Sequence, residues 1–166
     1  GYSQPGSYLP VDSTAYMAFV RAAVERYDGD GLADLPGLPV PIRYWQVDNE
    51  PNFIRQGSDY ARLQAMTHAA IKEACPGCQA LIGGATGFPQ GYAENFHTNY
   101  APYLAALDGC CMDVFDFHWY GTAIGDYRLI APVLDTIRAE LTATGFSGLP
   151  IWVTEMGTYS GDPADF

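Results

Sequence analysis

The sequence predicts an α/β fold built on a parallel sheet with helical crossovers, and three observations carry that prediction. Short hydrophobic runs rich in β-branched and aromatic residues alternate with longer stretches whose apolar residues recur at helical spacing. The connections between them are short and marked by Gly, Pro, Asp and Ser. Strand, helix, strand, helix in that order needs a crossover between neighbouring strands, which makes the sheet parallel.

The elements follow in order. Asp12-Ser13-Thr14 can cap a helix that carries Tyr16, Phe19, Val20 and Val24 on one face, runs to about Tyr27 and ends at Asp28-Gly29-Asp30-Gly31. A proline-rich connector over 35–41 leads into a first strand, 42–48. Ser58-Asp59 starts a second helix over 60–74, with Leu63, Met66, Ala70 and Ile71 at helical spacing. Residues 80–84 read as a second strand, and 92–107 as a partly helical crossover that Pro102 interrupts. A third strand spans 112–120, a further helix 127–144 and a fourth strand 151–155. Four strands are half the sheet of an eight-stranded barrel of about 250 residues. The expectation is therefore a partial (β/α)8 TIM barrel, strands four to seven with the intervening helices, in which residues 1–166 form one segment of a single barrel. The competing reading is a complete small open α/β sheet.

Composition narrows the function. Hydrophobic residues make up 48% of the chain, enough for a sizeable core, while charged residues are only 16%, below the roughly 25% usual in soluble domains. The 12 Tyr, 8 Phe and 3 Trp suit a large core or a cleft that stacks on flat ligand faces. A net charge of −11 with no compensating basic cluster repels phosphate backbones and anionic surfaces, so neither nucleic acid nor membrane is an expected partner. No apolar run reaches the length of a membrane span, and no basic-then-apolar leader stands at Gly1. The loop-like opening at Gly1 and the abrupt stop at Phe166 suggest that the natural ends lie elsewhere.

Two segments concentrate the chemistry: Trp45-Gln46-Val47-Asp48-Asn49-Glu50-Pro51-Asn52 and, 105 positions later, Pro150-Ile151-Trp152-Val153-Thr154-Glu155-Met156-Gly157. Each is a buried-type strand that ends in a glutamate and runs into turn residues. Two carboxylates delivered to one rim by separate strands are what glycosidic-bond hydrolysis requires. On the third strand a side-chain period of two separates Val114, Asp116, His118 and Tyr120 from Phe115, Phe117 and Trp119, so His118 and Tyr120 point to the same barrel mouth as the glutamates. The same count groups Val153 with Glu155, opposite Trp152 and Thr154. Taken alone, a strand-end glutamate reads as a solvated residue or a helix cap. It is the companion segments that give Glu50 and Glu155 a role.

Asn49-Glu50-Pro51, His118-Trp119-Tyr120 and Thr154-Glu155-Met156-Gly157, each on a predicted strand and in this order, resemble the fourth, sixth and seventh strands of retaining glycoside hydrolases of clan A, the four/seven barrel superfamily. The resemblance covers nearly the whole chain. It implies that Glu50 is the general acid/base and Glu155 the nucleophile. By the same resemblance Asn49 hydrogen-bonds the sugar hydroxyl beside the anomeric carbon, Tyr120 holds the nucleophile, and His118 matches the histidine two positions before that tyrosine. Trp119 and Trp45 are candidate sugar platforms, whereas Trp45 and Trp152 are also expected to pack against helices. The early-strand arginine and histidine of such families, and the tryptophan after the last strand, have no counterpart here.

The four cysteines fall in two clusters, Cys75-Pro76-Gly77-Cys78 and Cys110-Cys111, at the amino-terminal floor of neighbouring strands and away from the proposed mouth. Disulfides between or within the clusters are the preferred reading, ahead of free buried thiols or a zinc site. Bridged cysteines favour an extracellular or periplasmic protein. His68 and His97 sit in helical stretches away from the motifs and receive no role.

The resulting expectation is hydrolysis of O-glycosidic bonds in a β-linked oligo- or polysaccharide by retaining double displacement, with no cofactor and no metal, since protonatable carboxylates carry the chemistry alone. A non-catalytic carbohydrate-binding relative of the same barrel is the alternative, and loss of one carboxylate would mark it. An unrelated open-sheet hydrolase or transferase finds no G-x-S-x-G elbow, and Gly83-Gly84-Ala85-Thr86-Gly87 is too short and ill-placed for a phosphate loop.

Overall fold

A computed structural model describes residues 9–53, 57–86, 91–121 and 125–158, apart from the side chains of 127 and 158. The chain's opening segment, its last residues and Gly87 lie outside the described residues. The described residues form, in order, α1 (Ser13–Tyr27), β1 (Tyr44–Val47), α2 (Gly57–Ala74), β2 (Gln79–Ile82), α3 (Tyr92–Asn99), α4 (Ala101–Leu107), β3 (Phe115–Gly121), α5 (Ile130–Ala143) and β4 (Ile151–Thr158). Short 3-10 turns follow β1 at Pro51–Phe53 and precede α5 at Asp126–Leu129.

The pairing is parallel throughout. β1 runs beside β2 from Tyr44 opposite Gln79 to Val47 opposite Ile82, and β3 runs beside β4 from Phe115 opposite Ile151 to Gly121 opposite Thr158. Bridges from Leu81 to Val114 and from Ala85 to Phe117 join the two pairs, so the strands stand in the order β1-β2-β3-β4. The sheet is curled. Although β1 and β4 are the outermost strands among the described residues, the rings of Tyr44 and Trp152 meet with centroids 4.7 Å apart. A consecutive parallel sheet with a helical crossover between each pair of strands, bent until its ends approach, is a partial barrel.

Local chemistry explains the element ends. The Asp12 carboxylate accepts the Ala15 backbone N–H at 2.9 Å and caps α1. Pro102, which sequence places inside a broken crossover, opens α4 at its first turn, where a missing N–H costs no helical hydrogen bond. Thus 92–107 is two helices meeting at Tyr100.

Two clusters make the core. The larger lies between the sheet and α2 to α5 and holds Tyr60, Phe96, Tyr100, Phe115, Phe117, Trp119, Ile137 and Leu141. The smaller packs α1 on α2 and the β1–β2 base through Val20, Val24, Ala70, Ile71 and Ala80, with Trp45 against it. Two expectations change here. Phe19 is 69% exposed, because the face of α1 turned to α2 carries Tyr16, Val20 and Val24 while the Phe19 position turns outward. Trp152 packs on the Tyr44 ring inside the curl instead of against a helix.

All four cysteines are bridged, Cys75 to Cys78 before β2 and Cys110 to Cys111 before β3. The bridges are within the clusters, so neither a zinc site nor free thiols describe them. Both lie at the amino-terminal ends of their strands, as the sequence implies.

Candidate active site

Glu50, just past the carboxyl end of β1, comes together with His118 and Tyr120 of β3 and Glu155 of β4. His118 is the hub: it is 1% exposed, its Nδ1 stands 2.8 Å from Glu50 Oε1, and the same nitrogen is 3.7 Å from Glu155 Oε2. One donor atom from each of Glu50, His118 and Glu155 lies within 4.8 Å of the others. The two carboxylates therefore flank one imidazole. The Tyr120 hydroxyl donates to Glu155 Oε1 at 2.5 Å. Glu50 is the more sheltered carboxylate, with its side chain 22% exposed against 46% for Glu155.

The turn that presents Glu50 is tightly made. Asp48 and Glu50 adopt φ of 69° and 46°, a left-handed conformation unusual for residues with a Cβ. Such a conformation persists where surrounding contacts over-determine it. Here the Asn49 N–H donates to Asp48 Oδ1 at 2.9 Å, and the Phe53 N–H donates to the Glu50 carbonyl at 3.1 Å. Beneath the turn the Tyr60 hydroxyl donates to the Val47 carbonyl at 2.8 Å and accepts the Gly83 N–H at 2.6 Å, closing the β1–β2 pair where its ladder ends. Behind it the buried Tyr100 hydroxyl donates to Asn52 Oδ1 and accepts the Thr86 N–H. Burial pushes the Tyr100 phenol far above its ordinary range, which keeps it a neutral donor.

Glycine matters at two positions in the wall. A Cβ on Gly83 would stand 2.5 Å from the Val47 carbonyl oxygen, and one on Gly84 would stand 2.0 Å from His118 Nε2. The sequence reads them as the end of the second strand and finds no phosphate loop there. Their function is to leave room for the β1 end and for the imidazole.

Glu155 reaches this face through an irregularity that a strict period of two does not anticipate. Register slips between Phe117 and His118, so that Val153 pairs with Phe117 but Glu155 pairs with His118, and Thr154 is the extra residue. A bulge of this kind re-aims a side chain. Thr154, expected opposite Glu155, instead shares its face: its N–H donates to Asp116 Oδ1 at 3.0 Å and its hydroxyl to Asp116 Oδ2 at 2.6 Å. Asp116 is fully buried, and burial, with Glu155 adding to it, raises its pKa against the opposing pull of the two Thr154 hydrogen bonds and His118. Sequence alternation placed Asp116 on the polar face without giving it a task, and nothing in composition announces a bulge.

Of the expected ligand-binding residues, Asn49 is exposed beside Glu50, and Gln46 Nε2 donates to its side-chain oxygen at 3.5 Å. Trp119 does not join the group. It is 2% exposed in the core with its ring 6.0 Å from Tyr92, because its strand position faces the helices, so it offers no surface to a ligand. Trp45 is half-buried against the α1–α2 cluster. The second acidic group, Asp28, Asp30 and Asp34, lies beside a shallow cavity of about 500 Å³ under the following loop. Its carboxylates accept backbone N–H groups of their own loop, from Gly29, Asp30, Gly31 and Leu32.

A curled parallel sheet with helices outside and ionisable side chains gathered toward the carboxyl ends of its strands is the anatomy of a (β/α)-barrel enzyme. The chain belongs to the family described as glycosyl hydrolase catalytic core, which it matches over residues 35–165. Among solved structures it is similar to a glucosidase from Croceicoccus marinus, with a TM-score of 0.67 and 19% identity over 95% of this chain and 33% of that one. It is also similar to AbfB, a family 51 α-L-arabinofuranosidase from Bifidobacterium longum, with a TM-score of 0.62 and 15% identity over 87% of this chain and 33% of that one. At these identities the likeness establishes the fold, and the chain spans about a third of either structure. No curated protein matches in sequence.

Proposed function

We propose that this chain carries the catalytic carboxylates of a retaining glycoside hydrolase acting on a β-linked glycan, with Glu50 as general acid/base and Glu155 as nucleophile. The observation that supports it most is convergence: glutamates 105 positions apart in sequence meet around His118 with facing atoms no more than 4.8 Å apart. Retaining enzymes bring their carboxyl groups to about 5–5.5 Å, against about 6.5–9.5 Å where a water must fit between them.

The two roles need opposite protonation. Glu155, more open and bonded by the Tyr120 hydroxyl, is suited to remain a carboxylate and attack the anomeric carbon. As that bond forms and the glycosidic C–O bond breaks, the Glu50 proton passes to the leaving oxygen. The Glu50 carboxylate then takes a proton from water, whose oxygen attacks the same carbon and releases Glu155. Asn49, exposed beside Glu50, would bond the neighbouring sugar hydroxyl in this reading. The two disulfides support an extracellular or periplasmic location, where such bonds persist and glycans are met.

In the whole protein, Glu155→Ala is expected to lower turnover of aryl β-glycosides by at least about 10⁴-fold while glycan binding remains measurable, as for loss of a catalytic nucleophile. A slow fluorinated substrate should leave a sugar adduct on the peptide containing Glu155, read by mass spectrometry. Near-normal turnover in the variant, or an adduct elsewhere, reassigns the role.

A further inference from the structure

We propose that Asp116 is a positioning residue that acts through Thr154 and His118 to keep a proton between His118 Nδ1 and Glu50, a role that rests on Glu50 being the acid/base. Asp116 is wholly buried and bonds neither glutamate. Its two oxygens are filled by one residue, the Thr154 N–H at 3.0 Å and the Thr154 hydroxyl at 2.6 Å. A carboxylate only accepts, so the Thr154 hydroxyl hydrogen is committed to it. What Thr154 Oγ1 can then offer its other neighbour, His118 Nε2 at 3.4 Å, is a lone pair. The same ring nitrogen is 3.7 Å from Asp116 Oδ2, beyond hydrogen-bonding distance, so Asp116 reaches it through Thr154. The hydrogen-bonding neighbour of Nε2 is thus an acceptor, which fixes a hydrogen on that nitrogen.

With Nε2 occupied, a neutral imidazole leaves Nδ1 bare, and Nδ1 is 2.8 Å from Glu50 Oε1. The pair is bonded when one further hydrogen lies between the two atoms, and that hydrogen is the one the acid gives to the leaving oxygen. The polarity runs one way: Glu50 donates to Nδ1, Nε2 donates to Thr154, and Thr154 donates to Asp116. Among the described residues the ionisable groups facing this chain are Glu50 from the β1 end, Asp116 and Tyr120 on β3, and Glu155 on β4, with Tyr120 engaged by Glu155.

An amide at position 116 would reverse the chain without changing its shape. Its oxygen can still accept the Thr154 N–H, but its NH2 donates to Thr154 Oγ1 and turns the hydroxyl hydrogen toward Nε2. The ring hydrogen then moves to Nδ1, which donates to a Glu50 carboxylate that no longer needs its proton. Hydrogen bonding to the charged form favours that form. Glu50 should lose its proton at lower pH.

The test is the pH dependence of kcat/KM in the whole enzyme for Asp116→Asn, Thr154→Val and Thr154→Ser, on an alkyl and a dinitrophenyl β-glycoside. Asp116→Asn and Thr154→Val should move the basic limb down by about one pH unit and cost the alkyl substrate about tenfold or more at the wild-type limb, within the range of general acid catalysis. The dinitrophenyl group departs without a proton, so that substrate should lose less than about threefold. Thr154→Ser, which keeps the hydroxyl, should restore the wild-type profile. Equal losses on both substrates with an unmoved limb, or wild-type behaviour throughout, would overturn the assignment. If Asp116→Asn does not fold, the Thr154→Val and Thr154→Ser pair decides alone. Glu50→Ala in the same assay separates the two levels: if it spares the dinitrophenyl substrate, the acid role of Glu50 stands, and an unmoved limb counts against Asp116 only.

Discussion

His118 is the residue around which the site is organised, and its environment is set by what is missing from a neighbour. A side chain of any size on Gly84 would occupy the imidazole's place, since even a Cβ would fall 2.0 Å from Nε2. The ring has nowhere to retreat, being buried among Thr154, Asp116 and Glu50. Gly84→Ala is therefore expected to destabilise the fold by about 1–3 kcal/mol, the usual cost of overpacking, and to displace His118 from Glu50. Chemical denaturation and turnover measured together check this. An alanine variant with wild-type stability and activity would mean that the imidazole does not sit against that backbone.

At the scale of elements, α2 carries a buried-side titration that should be visible in stability. Burial lowers the pKa of His68, with Asp113 opposing that shift and Lys72 adding to it. A base whose folded pKa is depressed stabilises the native state above its unfolded value of about 6.5, and that contribution fades as pH falls toward the folded pKa. The denaturation midpoint should thus decline as pH drops below about 6.5, and His68→Gln should flatten that stretch. A profile unchanged by the substitution would refute the linkage. Elements were also the level at which the sequence was most readable. α1, α2 and the parallel order follow from apolar spacing and turn residues, because those signals depend on neighbours along the chain. Glu50 and His118 were legible in the same way, through strand ends and alternation. Thr154 was not, because its face is decided by a register slip against β3, a property of two strands together. Trp119 misled for a related reason: an aromatic residue beside catalytic-type residues looks like a platform until the strand's two faces are assigned to core and mouth. The need for glycine at 83 and 84 is not legible, because its reasons are the Val47 carbonyl and the His118 ring on other strands.

For the whole molecule, both outer strands of the described sheet carry exposed apolar side chains. Tyr44 is 52% exposed on β1, and Trp152, Val153 and Met156 are 37%, 36% and 63% exposed on β4. Outer strands with unpaired backbone groups and apolar surface are templates for association. The 166-residue chain by itself is expected to self-associate and to bind a hydrophobic dye, whereas a polypeptide of the length of the similar glycosidases should do neither. Size-exclusion chromatography of the two gives the answer, and a monodisperse, dye-silent 166-residue chain would show that these edges are harmless.

The extra residue in β4 has an implication for anyone who would transplant this chemistry. Copying Thr154-Glu155 onto an unbroken strand of another scaffold would reproduce the letters and send the carboxylate to the wrong side of the wall. What must travel with the glutamate is the local miscount itself, together with the aspartate two places before the histidine that latches it in place.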